Sequence, residues 1–374
     1  MKMDKFKIDS HKYAYHPDHS ANVINYIRNK DDKQYIEAFK NQHPLYMELS
    51  PVGACNHRCT FCAVDYIGYN SVFMDLEVYK KTIDSMKTKG CKSIMFAGEG
   101  EPLLHPEISE FVNYTKIEGG IDTSFTTNAF KLSENFVEKS LSNIAWVKVS
   151  FNAGTSKAYS EIHRTKEKDF DVVCNNLRYA VEYKNKHGLK VALGMQMLLL
   201  PENQETLHDL CNLAIDIGLD YVVIKPYSQH KFSNTTKYKN IDYTQYLGLE
   251  EELKQYNSKN FNVVFRINTI NNWISQNNER YCHCMATPSV WSYIMADGEV
   301  YSCSAYLLDD RFKLGNINEA TFHDIWSSER RMKHAHYVMN ELDINECRVN
   351  CRMDQVNRYL DNVVNEKIDH INFV

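Results

Sequence analysis

The chain has 374 residues, 43% of them hydrophobic, enough for one large domain plus a smaller one with an ample core. A net charge of -5, with no long basic or acidic block, gives no positive case for nucleic acid or for an anionic membrane surface. No apolar signal core follows Met1 and no stretch nears the roughly 18 uninterrupted apolar residues of a spanning helix, so the expectation is a soluble, cytoplasmic protein with no membrane partner.

In chain order, β-like runs fall at 45–49, 93–97, 123–127, 146–150, 191–199 and 221–225. Helical spacing lies between them: Leu76, Tyr79, Ile83 and Met86 stop before Gly90, Phe170, Val173, Leu177 and Val181 before Gly188, and Leu207, Leu210 and Ala214 before Gly218. Strand then helix, repeated, means parallel strands, which right-handed crossovers wrap into a barrel or a doubly wound layer; periodicity alone does not choose. The polar, tyrosine-bearing stretch 228–245 reads as a loop or linker, 249–253 as helical and 261–267 as a further strand. Asp297-Gly298 between the runs 290–295 and 300–304 is a hairpin signal. The basic run Arg330, Arg331 and Lys333 reads as a solvated helix face.

Eleven cysteines in a reducing compartment point to metal ligation rather than to a disulfide framework. Cys91, Cys174 and Cys211 are exceptions, since they fall among apolar neighbours and read as small core hydrophobes. Cys55, Cys59 and Cys62, just after the first strand, offer three thiolates and no fourth. A structural zinc site wants four closed ligands, whereas a loop of this kind can hold a four-iron cluster with one iron open. Near the C-terminus stand Cys284, Cys303, Cys347 and Cys351, with Cys282 as an alternative first ligand. The hairpin would bring Cys284 and Cys303 together, and iron–sulfur and zinc are both reasonable for a closed four-thiolate site.

With Phe61 just before its third cysteine, the Cys-x3-Cys-x2-Cys loop resembles the radical S-adenosylmethionine (SAM) superfamily. The resemblance implies an α/β fold with a partial (β/α)6 TIM-like barrel, an open iron that chelates the amino and carboxylate groups of SAM, and a 5'-deoxyadenosyl radical that takes a hydrogen atom from substrate. It casts Phe61, Gly98, Gly100, Glu101, Asn128, Ser150, Asn152, Arg164 and Gln196 as cofactor contacts. Gly98-Glu99-Gly100-Glu101-Pro102 looks like the family's Gly-Gly-Glu-Pro segment, which holds the SAM amino group, with Glu99 interposed. Thr127-Asn128-Ala129 stands where the family usually shows Thr-Asn-Gly; Ser150 and Asn152 look like ribose contacts and Arg164 a carboxylate contact. An ordinary turn, strand-end capping and a surface arginine are the plain alternatives. Gln196, Lys225, Tyr227 and His230 would face the barrel mouth, the last three as candidate catalytic groups, with ordinary rim polarity as the alternative.

The C-terminal cysteines, with Gly315-Asn316-Ile317 and Ile325-Trp326 between them, are similar to the shortened SPASM or "Twitch" extension of some radical SAM enzymes. That similarity implies a small hairpin and helix domain with one auxiliary four-iron cluster, although Cys-x3-Cys replaces the usual Cys-x2-Cys. The expected organisation is an N-terminal segment (1–43), a barrel (44–228), a connection (229–281), the auxiliary domain (282–360) and a tail (361–374). Implied with it are SAM, two 4Fe-4S clusters, a flavodoxin or ferredoxin-type reductant, and oxidation or epimerisation of a carbohydrate-like small molecule. The alternatives are radical modification of a ribosomally made peptide or protein side chain, and a structural metal-binding protein. Cys282 is a candidate hydrogen donor for epimerisation by proximity.

Overall fold

The computed structural model describes residues 12–274, 280–348, 351–366, 369–370 and 372–373. Seven strands run parallel in sequence order: β1 (Tyr46–Leu49), β2 (Ser93–Phe96), β3 (Asp122–Thr127), β4 (Ile144–Ser150), β5 (Ala192–Leu199), β6 (Tyr221–Pro226) and β7 (Asn262–Phe265). Helices fill the crossovers where the 3.6-residue spacing places them. The helix Leu76–Met86 starts at Asp75, whose carboxylate accepts from the Val78 amide at 2.9 Å, and Leu207–Ile217 stops at Gly218 with φ of +86°.

Three more strands, β8 (Trp291–Ile294), β9 (Glu299–Tyr301) and β10 (Lys313–Asn316), extend the same sheet. β8 pairs in parallel with β1, and β9 and β10 continue antiparallel, giving ten strands in the order β10-β9-β8-β1-β2-β3-β4-β5-β6-β7. The sheet is open, a partial barrel with β7 and β10 as its edges. The expected hairpin is present, but it does not form a sheet of its own. Without β8, β1 would carry an unpaired edge beside the cysteine loop. The run 261–267 adds a seventh parallel strand only through Phe265, and a helix begins at Ile267. β9 ends at Tyr301, because Ser304 opens a 3-10 turn.

Register separates the two faces of the parallel strands. Met47 and Leu49 align with Ile94 and Phe96, and Val147 and Val149 with Leu193 and Met195; these are buried in one core cluster with helix residues such as Tyr79, Phe111, Leu177 and Leu210. The opposite face carries Tyr46, Glu48, Met95, Ser124, Thr126, Lys148, Ser150, Gln196 and Lys225. A hydrophobic side under helices and a polar side facing inward is the division expected of a barrel with a working lumen.

Cys91, Cys174 and Cys211 are buried in the core, as expected. Of the basic run, Arg330 and Lys333 are exposed as expected, and Arg331 is not. Arg331 is completely buried, its guanidinium 4.0 Å from the Phe39 ring centre and donating to the carbonyls of Pro288 (2.7 Å) and Phe39 (3.2 Å). Its delocalised charge and planar fork tolerate an aromatic wall that an ammonium would not. Residues 1–11 of the expected N-terminal segment, and 367, 368, 371 and 374 of the expected tail, lie outside the described residues. No helix among the described residues is long and apolar enough to cross a membrane.

Candidate active site and metal centres

Cys55, Cys59 and Cys62 sit in the loop after β1, at the carboxyl end of the strands, where parallel barrels assemble their chemistry. The loop is pinched at its base: Val52 bridges Phe73, and the Gly53 and Met74 amides donate to Val72 and Pro51, each at 2.9 Å. It is also tied to the end of the helix Ser156–His163, where the Arg58 and Thr60 amides reach the carbonyls of His163 (3.2 Å) and Ile162 (2.8 Å). The stretch 228–245 clamps it from another side, since Asp65 accepts from the Ser233 hydroxyl and from the amides of Asn234 and Thr235. The presumed linker is therefore a wall of the site.

Burial raises all three thiols, Cys55 to about 12 with Glu101 adding to the effect. Burial raises the core thiols Cys91 and Cys211 in the same way, so the shift reflects enclosure, and a metal centre held here would have to overcome it. Two histidines absent from the sequence expectations surround Cys59. His163 lies 3.1 Å from its sulfur through Nδ1 and 2.9 Å from the Phe151 carbonyl through Nε2, so Nε2 carries the hydrogen. His57 is buried with both ring nitrogens unpartnered. A histidine inside a cysteine loop, at His57, was the available sequence signal.

The loop after β2 needs its glycines. A Cβ on Gly100 would stand 2.0 Å from the Val52 carbonyl oxygen and 2.5 Å from that of Ala54, both in the cysteine loop; one on Gly98, whose φ is +118°, would meet the Ser50 side chain at 2.2 Å. Glu101 is buried and its carboxylate is already engaged by Thr127 Oγ1 (2.5 Å) and the amides of Asn128 (2.7 Å) and Leu103 (3.1 Å). Glu101 thus braces the ends of β2 and β3 against each other. The interposed Glu99 accepts from Tyr293 (2.8 Å) and from the Ala296 amide (2.9 Å), fastening this loop to β8.

Asn128 is buried, its Nδ2 donating to Asn56 at 2.8 Å, and Ala129 takes the positive φ of +58° that a glycine would occupy freely. Asn152 is fully buried with φ of +61°; its Oδ1 accepts from the Leu198 amide at 2.8 Å while its Nδ2 has no partner. Ser150 is half-buried at the end of β4, and Gln196, paired with it in register, is buried with an unpartnered Oε1. Phe61 packs edge-on against His163 with ring centres 5.7 Å apart. Arg164 caps its helix with φ of +53° and is exposed.

Lys225 is half-buried on the lumen face. Tyr227 is buried and its hydroxyl is pushed up to about 12, chiefly by burial. His230 is buried, stacks on Tyr66 with ring centres 5.4 Å apart, and is lowered to about 4, first by burial and then by Arg348. Register adds lumen residues that periodicity did not single out: Glu48, Thr126 and Lys148. Arg352, one residue past Cys351, reaches this face, where it ion-pairs with Glu48 and donates to the Tyr46 hydroxyl at 2.7 Å.

Cys284, Cys303, Cys347 and Cys351 line one cavity together with Tyr306 and Asn357, whereas Cys282 is exposed and is not part of that lining. Of the two, Cys284 is the one that shares the cavity with the other three cysteines. Asn357 Nδ2 lies 3.4 Å from the Cys284 sulfur, Tyr306 Oη 3.4 Å from that of Cys347, and the Met353 amide 3.4 Å from that of Cys351. Residues 349 and 350, between the last two cysteines, lie outside the described residues. A single zinc ion would hold its sulfurs about 3.8 Å apart. Among the described residues the trio His57, Cys59 and His163 gathers its ligand atoms within 4.8 Å, and neither cysteine set does so on its own. Neither set is drawn together as closely as the ligands of a single ion would be.

Two family models match. The radical SAM superfamily model covers residues 49–214, and the SPASM model, an iron–sulfur cluster-binding domain, covers 282–352. A tungsten-containing aldehyde ferredoxin oxidoreductase cofactor-modifying protein of Pyrococcus furiosus is 24% identical over 76% of this chain and 81% of its own length. A GTP 3',8-cyclase of Haemophilus influenzae is 27% identical over 42% of this chain, which spans only 46% of the cyclase. Streptococcus suis SuiB bound to precursor peptide SuiA shares the fold with a TM-score of 0.62 at 19% identity, over 88% of this chain and 73% of SuiB. The anSMEcpe structure with bound AdoMet gives a TM-score of 0.56 at 19% identity, over 79% of this chain and 83% of that one.

Proposed function

The chain belongs to the radical SAM superfamily and carries a SPASM-type iron–sulfur cluster-binding domain, and from this premise we propose that it oxidises or epimerises a carbohydrate-like small molecule held in the barrel lumen. The observation that carries the reading is the pairing of a three-thiol loop at the strand ends with a separate four-thiol cavity, joined through one sheet. When bound, SAM and the first cluster supply a 5'-deoxyadenosyl radical for hydrogen-atom removal, and the second cluster is a store for one electron. Conversion of an alcohol to a ketone releases one hydrogen atom, one electron and one proton; the radical would take the first, the auxiliary cluster would supply a place for the second, and solvent would take the third.

The chain's own residues position the reactants. Cys55, Cys59 and Cys62 would hold the SAM-binding cluster, and Cys284, Cys303, Cys347 and Cys351 the auxiliary one. Backbone groups at Gly98 and Gly100 would meet the SAM amino group, with Glu101 keeping that loop in register. The unpartnered amide atoms of Asn152 and Gln196 would complete their hydrogen bonds on the nucleoside, alongside Ser150, Asn128 and Phe61. Arg164 would turn to the SAM carboxylate. His230 Nδ1 accepts from the Phe232 amide at 3.2 Å, so its Nε2 donates, and burial keeps Tyr227 protonated; both are donors to a substrate oxygen, with Lys225 beside them. The polar lumen favours a hydroxylated small molecule.

A flavodoxin or ferredoxin-type protein is the proposed reductant. Anaerobic reconstitution tests the reading. About eight irons per chain, with SAM-dependent 5'-deoxyadenosine, support it, and oxidation of a supplied cyclitol or sugar rather than of a candidate peptide supports the substrate class.

A further inference from the structure

The loop after β1 also carries a smaller constellation, for which a three-thiol cluster has no need. His57, Cys59 and His163 bring one ligand atom each within 4.8 Å of one another, and both histidines are buried. His163 is built as a ligand. Its Nε2–H is spent on the Phe151 carbonyl at 2.9 Å, which fixes the tautomer and leaves the Nδ1 lone pair 3.1 Å from the Cys59 sulfur. A carbonyl on the far nitrogen is how metal-bound histidines are oriented. His57 points the same way on separate grounds. It is 2% exposed and neither ring nitrogen has a partner among the described residues, although buried polar atoms are rarely left so. Its ring centre stands 5.2 Å from that of His163, beside the rings of Phe130 and Tyr159.

The dimensions suit one ion. Bonds of about 2.3 Å to sulfur and about 2.0 Å to nitrogen at a tetrahedral centre put ligand atoms about 3.5 Å apart, so side-chain movements of about 1 Å close the trio around a metal. Arg58, the cation of the loop, does not compete for the place: its guanidinium is held by the carbonyls of Cys55 (2.6 Å) and His57 (2.8 Å) and covers the Tyr69 ring at 4.1 Å. Asp169 is near enough to act on the His57 ring, and its carboxylate offsets part of an added positive charge. Two imidazoles and one thiolate are a borderline-soft set that takes zinc or ferrous iron, zinc the more tightly, with a fourth position left for water. Loading sends the Cys59 thiol proton to solvent and changes no oxidation state.

We propose that, in the chain without its cluster, His57, Cys59 and His163 hold a single divalent transition-metal ion, and that ion and cluster exclude each other because both need the Cys59 sulfur. The test is anaerobic titration with cobalt(II) of the full chain, purified free of iron, in a Cys55→Ser/Cys62→Ser background that keeps Cys59. The four C-terminal cysteines are intact in every sample, so the metal they take is common to all. The double variant should bind one equivalent beyond them, with the visible bands of tetrahedral cobalt. His57→Leu, which breaks no hydrogen bond of the ring, and His163→Asn should each weaken that equivalent tenfold or more, whereas His187→Asn, at an exposed position, should leave it unchanged. Circular dichroism checks that each variant is folded. Absence of the extra equivalent from the double variant, or its persistence in folded His57→Leu, overturns the inference. Uptake of the same equivalent by the reconstituted wild type, whose Cys59 is committed to iron, overturns the exclusion. The titration needs neither SAM nor a cluster, so failure of the functional reading, seen as a wild type that does not cleave SAM, leaves its outcome untouched.

Discussion

Replacing Gly100 by alanine puts one methyl group where the structure leaves no room. The new Cβ would lie 2.0 Å from the Val52 carbonyl oxygen and 2.5 Å from that of Ala54, both backbone atoms. Ordinary contact needs more than 3 Å, so the strand-to-loop junction one residue before Cys55 must retreat by about 1 Å. The Glu101 amide donates to the same Ala54 carbonyl at 2.9 Å, so the cysteine loop and the loop after β2 move together. Overpacking of this kind costs about 1–3 kcal/mol, while misplacement of reacting groups by 1 Å costs on the order of a hundredfold in rate. The expected Gly100→Ala enzyme is therefore folded and only modestly less stable, yet forms 5'-deoxyadenosine about a hundred times more slowly. Gly248→Ala, with nothing within 4 Å of its Cβ, is the control and should match wild type. Chromatographic quantitation of 5'-deoxyadenosine, with iron content and thermal unfolding in parallel, makes the comparison. A Gly100→Ala rate equal to that of Gly248→Ala would refute the tight packing of the two loops.

Other outcomes follow from individual contacts. Glu101→Gln replaces an acceptor oxygen by an amide that cannot serve all three donors, so unfolding should shift by about 1–3 kcal/mol in denaturant titration. Arg331→Ala leaves a cavity against Phe39 and two carbonyls without donors, for an expected loss of about 3 kcal/mol or more in the same assay. Burial lowers His43 to about 3 and both His19 and His334 to about 4, below the value near 6.5 they regain on unfolding. The unfolded chain then binds more protons below pH 6.5, so stability falls with pH between 6.5 and 4, by about 1.4 kcal/mol per unit for each histidine. Denaturant midpoints at pH 7, 6 and 5 check the slope, and a flat profile contradicts it. Asn357→Ala, which removes a donor beside Cys284, should cut iron by up to half while leaving uncoupled SAM cleavage intact.

Much of the chain was legible because strong local signals agreed. The strand runs, the helix stops at glycine, the Asp297-Gly298 hairpin and the core cysteines all depend on periods of two or 3.6 residues and on turn chemistry, which neighbouring residues encode. The three-cysteine loop stood out for a similar reason, since Cys55, Cys59 and Cys62 lie within eight residues of one another. What escaped were relations across the chain. That β8 would close the edge of β1 depends on partners some 245 residues apart, and no local pattern states it. The purpose of Glu99 appears only when Tyr293 arrives beside it. Lys148 sits in a strand whose alternation is plain, but which side faces the lumen is decided by register with β5. Arg331 resembled a solvated cation because composition cannot reveal that Phe39 and Pro288 converge on it.

The most direct measurement is SAM cleavage by the anaerobically reconstituted chain and by its Cys55, Cys59 and Cys62 alanine variants. The wild type should hold about eight irons and release 5'-deoxyadenosine under a strong reductant, with no release from any of the three variants. Bound zinc in place of iron, or release that survives loss of Cys59, would contradict the assignment of this loop as the SAM-binding centre.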